Sequence, residues 1–348
     1  MKYEKITAVA LACGLSVGAL PVSAQTAEDT LNVIGTWGVQ RTFQDFERPT
    51  FETVLPEVSG GAVRGEVQAM TDVGLNGTEV MRLLSNGIYD AGFVVFTYIA
   101  QGDAIYEGMD MPMSFSTAEE ARALLAGFSE VAYPAMQEQY GVTVLANYSF
   151  PFTTIACREE FTSLADIEGR TVRVYSTGLS DMIEGLGGTP ITIPFSEVIP
   201  ALQRGVVDCA TVGALPMYNA QWYDVIDYIY EVPVNAGTAF LAINTERFEA
   251  MSEDAQAALR EAAARFEEQA WTGVVDQTAQ GYACVSGNGE CPFGDPASVT
   301  IVPEADGDAE LRRQVLVETV LPRWAQRCGE ECSDQWYALS GSAVGLTQ

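Results

Sequence analysis

Residues 169–213 constrain the fold of this chain more than any other stretch. Three short runs rich in β-forming residues alternate there with two segments of helical character. A β-α-β-α-β order is typical of a parallel sheet covered by helices, in which ligands bind at the carboxyl ends of the strands. Arg173 lies near the end of the first run, ahead of a polar turn at 175–178. Its guanidinium is suited to hold a carboxylate through two parallel hydrogen bonds; the alternative is a structural arginine paired with a neighbouring acid.

The beginning of the chain repeats this organisation. Strands are predicted at 31–35, 62–70 and 90–96, with helical segments between them. A Leu-x-x-Gly-x-x-Asp pattern at 84–90 recurs at 202–208, and in each case a helix end is followed by a strand. Two similar units in a chain of this length predict two lobes with a cleft between them.

The connections between the units predict a hinge. Strands over 142–157 lead from the first lobe to the second, and the β-rich run 225–243 leads back. Two crossings allow the lobes to close without separating. Residues 252–278 are predicted to form one helix of about 40 Å, long enough to lie across both lobes; an ordinary surface helix is the alternative. A final helix is predicted at 316–324 and leads into a loop.

The N-terminus has the features of a cleaved secretory signal peptide over residues 1–24. Two lysines precede the apolar run 6–22, and Val22-Ser23-Ala24 is a small-residue cleavage motif. A membrane anchor is the alternative, but the glycines and the proline in the run and the cleavage motif favour removal. Cys13 matches a lipoprotein site only faintly. No later stretch is long and apolar enough to span a bilayer. We therefore expect an exported, periplasmic protein.

Composition excludes several classes of function. The chain has 47 acidic and 18 basic residues, a formal charge of -29, and no histidine. An acidic surface repels nucleic acid and anionic membranes, so no nucleic-acid partner is expected. The lack of histidine removes Ser-His-Asp and Cys-His catalysis and any His-ligated metal site. An exported enzyme, the alternative from another class, would need paired carboxylates or a metal bound by Asp and Glu. Asp103, Glu107 and Asp110 are close together, but on a helix-loop stretch they are more typical of a solvated face. No metal and no cofactor are predicted.

Six cysteines remain after cleavage, and an even number in an exported protein predicts disulfides. The expected pairs are Cys157 with Cys209, Cys284 with Cys291, and Cys328 with Cys332. The last two pairs each bracket a short loop, and the first pair lies on β-rich runs of one lobe. Zinc binding by the last four cysteines is the alternative, which an oxidising compartment disfavours.

Three motifs in order carry a family resemblance. They read Asp-Ile-Glu-Gly-Arg-Thr-Val-Arg-Val at 166–174, Gly-Thr-Pro-x-x-x-Pro-Phe-Ser-Glu-Val at 188–198, and Ala-Leu-Gln-x-Gly-x-x-Asp at 201–208. The Gly-Gly pair at 60–61 and the run 84–90 also fit. In this order and spacing, which extend over nearly all the mature sequence, the chain resembles the solute-binding proteins of tripartite ATP-independent periplasmic (TRAP) transporters.

The resemblance implies an α/β fold of the two-lobed periplasmic-binding-protein type. Each lobe would be a mainly parallel sheet flanked by helices, with hinge crossings and a long helix across both lobes. Lobe I is expected to consist of residues 25–150, and the chain is expected to return to it over about 236–270. Lobe II is expected at 151–235, with C-terminal helices from about 271–348. The implied function is capture of an organic anion, a carboxylate, and its delivery to the membrane permease subunits of a TRAP transporter. A sensory protein that presents the ligand to a receptor kinase is the alternative.

The resemblance also implies which residues bind the ligand. Arg173 matches the carboxylate-binding arginine of the family, and Phe195 matches the aromatic residue that packs over the ligand. Further candidate ligand-binding residues are Thr36, Trp37, Arg41, Phe96, Tyr98, Val212 and Gly213. The chain lacks the second arginine of sialic-acid-binding relatives, which would fall near Thr153, and the Glu, Asn or Trp that many relatives carry at 211–213. These departures disfavour sialic acid and the shorter dicarboxylates. One carboxylate on a less polar body fits better, because apolar contacts are offered by Trp37, Phe93, Phe96, Tyr98 and Phe195.

Overall fold

The computed structural model describes residues 29–346. The predicted signal peptide at 1–24, with Cys13, lies outside the described residues. The strands are β1 (Asp29–Gly35), β2 (Val63–Ala69), β3 (Ala91–Val95), β4 (Val142–Ser149), β5 (Thr153–Cys157), β6 (Thr171–Val174), β7 (Thr189–Thr192), β8 (Cys209–Gly213), β9 (Tyr228–Tyr230), β10 (Thr238–Asn244) and β11 (Thr300–Val302).

Helices connect and cover these strands. They are α1 (Leu55–Val58), α2 (Val80–Ser85), α3 (Phe96–Ile99), α4 (Ala118–Tyr140), α5 (Thr177–Gly185), α6 (Val198–Gln203), α7 (Ala214–Asn219), α8 (Thr245–Glu249), α9 (Glu253–Ser286), α10 (Asp308–Val315), α11 (Leu321–Cys328) and α12 (Glu330–Leu339). Within 29–346, none of them is both long and apolar enough to cross a membrane.

The strands form two mixed sheets. The first has the order β2-β1-β3-β10-β4 and the second β11-β9-β5-β8-β6-β7. In the first, β10 runs antiparallel to both of its neighbours, and in the second β5 does the same; the other pairs are parallel. Each reversed strand is the first one that the chain forms after it crosses from the other sheet. The β-α-β-α-β units predicted at 31–96 and 169–213 supply three strands of parallel pairing to each sheet, and β9 and β11 form a further parallel pair in the second.

Burial follows the position of a strand in its sheet. The edge strand β2 alternates strictly between buried and exposed residues, as expected when one face meets solvent. The central strands β3 and β8 are buried at every residue, because helices cover both faces of the sheet at these points.

The chain crosses between the sheets at 150–152, between β4 and β5, and again at 231–237, between β9 and β10. These first and second crossings lie side by side. The main-chain amide of Phe150 donates to the carbonyl of Gly237 at 3.2 Å, and that of Thr153 donates to Asn235 at 2.9 Å. The buried carboxylate of Asp110 accepts from the Asn235 side chain and from the main-chain amides of Gly237 and Thr238. Hydrogen bonds therefore join both connections into one hinge.

Helix α9 provides a third connection. Ser252 caps its start, and Gly287, at φ +72°, ends it after 34 residues, eight beyond the predicted end at 278. Leu259 and Phe266 pack in the core beneath the first sheet, and the helix then runs past α7. Any Cβ at Gly281 would lie 2.3 Å from the main-chain nitrogen of Leu215, so glycine permits this close approach. The long helix across both lobes is confirmed.

The C-terminal prediction was too simple. Instead of one helix at 316–324 and a loop, α10, the π-helical turn Leu316–Val320 and α11 form one continuous helix, and α12 follows after Gly329 alone. The indole nitrogens of Trp324 and Trp336 donate to the carbonyls of Ala104 and Gly108, which fixes α11 and α12 against the first lobe. The turn Leu316–Val320 packs on α5 of the second lobe, so these helices contact both lobes.

The three expected disulfides are present: Cys157–Cys209, Cys284–Cys291 and Cys328–Cys332. The first joins residues directly opposite each other on the antiparallel strands β5 and β8. The second closes a loop after α9, and the third spans the corner between α11 and α12.

Candidate functional site

A cavity lies between the two sheets, beside the hinge. The space between its lining residues is about 530 Å³, which includes a part that is open to solvent. The cavity is lined by Trp37, Gln40, Val95, Tyr98, Phe150, Pro151, Thr153, Arg173, Tyr175, Phe195, Thr211, Val212, Gly213, Pro216 and Gly237. These residues come from the carboxyl ends of β1, β3, β6 and β8 and from both crossings, which is the expected location for a ligand in such sheets.

Arg173 supplies the positive charge of the cavity. Only 2% of the residue is exposed. Its Nε donates to the carbonyl of Ile193 at 2.8 Å and its Nη1 to the carbonyl of Thr211 at 2.9 Å. Within 29–346, no carboxylate oxygen lies within 4.0 Å of the guanidinium. Burial lowers the pKa of Arg173 to about 10, so the group is protonated at neutral pH. The main-chain carbonyls orient the cation without neutralising it, which leaves its charge available to an anion.

Aromatic rings surround this cation. The Cζ atom of Arg173 lies 5.2 Å from the ring centre of Tyr175 and 5.8 Å from that of Trp222. The Tyr175 hydroxyl is hydrogen-bonded to Thr153, at 3.0 Å. Burial raises the pKa of Tyr98 to about 12, and the nearby Arg173 charge opposes this shift. Burial also raises the pKa of Tyr175, so both phenols are neutral near pH 7.

Residues from the two lobes meet over the cavity. Trp37 follows β1 and Phe195 follows β7, yet their ring centres are 5.6 Å apart. Trp37 also packs edge-on against Phe150 at 5.6 Å, and Phe195 lies against Trp222 at 4.8 Å. These ring contacts join the two lobes over the cavity.

Gly213 allows the first crossing to lie close to β8. A Cβ at this position would lie 2.5 Å from the carbonyl oxygen of Pro151 and 3.0 Å from that of Phe152. Its neighbour Val212 also lines the cavity. A larger residue at 213 would push the crossing away from the sheet and change the shape of the cavity.

Three of the predicted ligand-binding residues lie outside this cavity. Thr36 is buried and donates to the Glu47 carboxylate through its amide and its hydroxyl. Phe96 packs in the core, 4.6 Å from the ring of Phe240. Arg41 pairs with Asp45 and lines a separate polar groove. Thr36 and Phe96 point inward because buried neighbours hold their side chains, whereas Trp37 and Tyr98, one and two residues later, line the cavity.

Several lining residues were missed by sequence reasoning. Gln40 lies five residues beyond the end of β1, and Phe150 and Thr153 flank the first crossing. Tyr175 stands in the polar turn after β6 but was not singled out. Phe150 and Thr153 could have been found from the sequence, because strands over 142–157 were predicted to connect the lobes. Nothing in the local sequence distinguishes Gln40 from its polar neighbours.

The carboxylates considered for catalysis have separate structural roles. Asp103 caps a short 3₁₀ turn by accepting from the amide of Ile105. Glu107 is paired with Arg327, and Asp110 holds the hinge. Across residues 29–346, no group of three or more acidic or cysteine side chains is arranged to hold a metal ion.

Proteins of similar sequence include solute-binding proteins. The sequence model of the DctP family, described as bacterial extracellular solute-binding protein, family 7, matches residues 41–289. The C4-dicarboxylate-binding periplasmic protein DctP of Rhodobacter capsulatus is 26% identical over 159 residues, 45% of this chain and 48% of that protein. A solute-binding protein of Roseobacter denitrificans is 26% identical over 160 residues, 45% of this chain and 49% of that protein. The chain spans about half the length of the curated relatives it matches.

Solved structures share the fold over most of their length. DctP7, a Bordetella pertussis extracytoplasmic solute receptor binding pyroglutamic acid, has a TM-score of 0.79 at 19% identity, covering 90% of this chain and 99% of that one. A TRAP periplasmic solute-binding protein from Sulfitobacter with bound β-D-galacturonate has a TM-score of 0.76 at 16% identity, covering 90% and 99%. The two-lobed fold predicted from the sequence is thus confirmed. Because the family model spans most of the sequence, this chain belongs to the DctP family, family 7 of the bacterial extracellular solute-binding proteins.

Proposed function

We propose that this protein is an extracytoplasmic receptor that captures a small organic acid by its carboxylate and delivers it to the membrane subunits of a TRAP transporter. One observation carries the proposal: a buried, protonated arginine, oriented by two main-chain carbonyls, has no acidic partner in the described chain. A buried cation without a counter-charge is costly, and a ligand carboxylate would supply that charge.

The remaining lining favours a single carboxylate on a less polar body. Trp37, Phe150 and Phe195 form an aromatic wall over the cavity. Arg173 is the sole basic residue among those that line it, within the part of the chain that is described. Trp37, Tyr98, Phe195, Val212 and Arg173 are proposed to contact the ligand, with Gly213 shaping the cavity. The ligands of the related structures, pyroglutamic acid and galacturonate, are carboxylates, which supports this class.

Export is part of the proposal. Cleavage after Ala24 would release the mature protein into the periplasm, where the three disulfides are stable. A receptor that closes over its ligand presents a distinct shape to the transporter, so the crossings and α9 fit a delivery role. Mass analysis of the protein from periplasmic extract tests the cleavage: a mature chain that begins at Gln25 is expected, and retention of residues 1–24 contradicts it.

The ligand class is tested by what the protein retains and what it selects. Protein purified from the periplasm is denatured, and the released small molecules are identified by mass spectrometry; a carboxylic acid is expected. Calorimetry then compares pyroglutamate, pyruvate, lactate and galacturonate with their primary amides. Each binding acid should be favoured over its neutral amide by tenfold or more, about 1.4 kcal/mol or above. Equal binding of acid and amide, or retention of a ligand without an acidic group, would overturn the proposal.

A further inference from the structure

The side chain of Gln40 contains a buried donor that the protein itself does not use. Gln40 lines the cavity with only 3% of the residue exposed. Its Nε2 atom is buried and has no hydrogen-bond partner within residues 29–346. Leaving a buried amide nitrogen unpaired is costly, and native proteins almost always satisfy such groups.

A hydrogen bond from the opposite lobe accompanies the orientation of this amide. The Nδ2 atom of Asn219, at the end of α7, donates to Gln40 Oε1 at 3.2 Å. In the orientation of the two amides that the structure shows, the Gln40 oxygen faces Asn219 and the Gln40 nitrogen is left for another acceptor. A main-chain bond from the Gln40 amide to the carbonyl of Trp37, at 2.9 Å, holds the turn that carries the side chain.

We infer that Gln40 Nε2 donates to a second oxygen of the ligand, so that the receptor selects small carboxylic acids with an additional acceptor oxygen: oxo acids, hydroxy acids or lactam acids. The inference rests on the carboxylate function proposed above. Arg173 neutralises the carboxylate, whereas Gln40 distinguishes an oxygen-bearing body from a plain hydrocarbon one. A bound acid without that oxygen would leave the Gln40 amide nitrogen unpaired in the closed cavity. Sites built to hydrogen-bond a substrate strongly reject analogues that lack the hydrogen-bonding group.

The same residue connects recognition with closure. Gln40 follows β1 in the first lobe and Asn219 lies in the second, so their hydrogen bond forms only when the lobes meet. A ligand oxygen that accepts from Nε2 therefore stabilises the orientation of the amide in which Oε1 accepts from Asn219. The two roles are separable, because a change at Asn219 removes the bond between the lobes and keeps the donor.

The test compares acids in matched pairs by calorimetry on the mature protein. The pairs are pyruvate with propionate, 2-oxobutyrate with butyrate, and pyroglutamate with cyclopentanecarboxylate. In the wild type, the oxygen-bearing member of the pairs that bind should bind about tenfold to a hundredfold more tightly. Gln40→Met, which keeps the length of the side chain, should reduce this ratio of affinities to about one, because it weakens the binding of the oxygen-bearing acid. Asn219→Ala should weaken both members similarly and preserve the ratio.

The outcomes separate this inference from the proposed function. A ratio near one in the wild type, a ratio that survives Gln40→Met, or a ratio lost equally in Asn219→Ala overturns the role of Gln40. If one of these results is found and Arg173→Ala abolishes binding of all acids, the role of Gln40 fails and the proposed carboxylate function is kept. If no acid binds, or if binding survives Arg173→Ala, both fail. Thermal melts check folding, and Gln40→Asn, which shortens the side chain by one methylene, replaces Gln40→Met if that variant does not fold.

Discussion

Replacing Arg173 by alanine tests the residue on which the proposed function depends most. The guanidinium uses Nε and Nη1 for the carbonyls of Ile193 and Thr211, which leaves Nη2 and one Nη1 hydrogen for a ligand. In a closed cavity that excludes most water, removing one partner leaves the ligand carboxylate desolvated and unpaired. That loss typically costs about 2 to 5 kcal/mol. At about 1.4 kcal/mol per tenfold, affinity should fall by roughly 30-fold or more.

Arg173→Lys separates charge from geometry. Lysine keeps the positive charge but has no planar fork, so it cannot contact both main-chain carbonyls and also bind a carboxylate through two parallel hydrogen bonds. We expect an affinity between those of the wild type and of Arg173→Ala. Recovery to the wild-type value would show that charge alone is sufficient and that the fork is not used.

Arg170 provides the matched control. It lies three residues before Arg173, and its guanidinium also donates to main-chain carbonyls, those of Asp166, Glu159 and Glu160. It does not line the cavity. Arg170→Ala should therefore lower the melting temperature and leave the dissociation constant of the folded protein unchanged. Calorimetry of the three variants, next to a thermal melt of each, distinguishes a binding role from a structural one.

One pattern of results would contradict a binding role for Arg173. If Arg173→Ala lowers the melting temperature and binds the acid as tightly as the wild type, Arg173 is a structural residue that supports β6 and β8. The carboxylate would then be recognised by other donors, and the cation would have to be removed from the proposed site.

Three other outcomes are expected. Saturation with a bound acid should reduce the radius of gyration in X-ray scattering, because a ligand that contacts both lobes favours the closed form; an unchanged radius contradicts closure. Replacing Cys157 and Cys209 by alanine should lower the free energy of unfolding by roughly 2 to 4 kcal/mol in urea titrations. Their bond spans 52 residues, more than the other two, so an unchanged midpoint would contradict this expectation. Burial raises the pKa of the Glu47 carboxyl from 4.5 to about 7. As pH rises, this carboxyl therefore ionises in the unfolded chain before it ionises in the folded chain, and the folded state loses stability between these two pKa values. Glu47→Gln should therefore match the wild type near pH 4 and be more stable near pH 8, by about 3 kcal/mol at most; equal stability near pH 8 contradicts the shift.

Much of the fold could be predicted because periodic patterns and turn signals agree with the tertiary structure. The βαβ units at 31–96 and 169–213, the long helix and the cysteine pairs are local or regularly spaced features. The reversed strands β5 and β10 could not be derived in this way, because their direction depends on where the chain re-enters a sheet. The division of the C-terminal region into α10, α11 and α12 also depends on distant contacts, such as those of Trp324 and Trp336 with the turn at 104–109.

The cavity was less predictable than the fold. A motif marked Arg173 and Phe195, and both line the cavity. Thr36 and Trp37 have the same local context, yet one side chain points to Glu47 and the other to the cavity. Adjacent residues at the end of a strand face opposite directions, so a list of loop residues contains about as many buried structural residues as lining ones. Gln40 can be recognised only once its unpaired nitrogen and its bond to Asn219 are visible.

The hinge and the cation of the cavity share one set of contacts. Asp110 holds the second crossing through Gly237 and through the Asn235 amide, whose Nδ2 also lies 3.1 Å from the Tyr175 hydroxyl. The ring of Tyr175 in turn packs 5.2 Å from the Cζ atom of Arg173. A rotation at the crossings must therefore rearrange the groups that position the cation. This arrangement also makes the proposed binding of an anion compatible with so acidic a chain. The charge that would act on the ligand is the local one of Arg173, which aromatic rings enclose, whereas solvent screens the exposed acidic side chains.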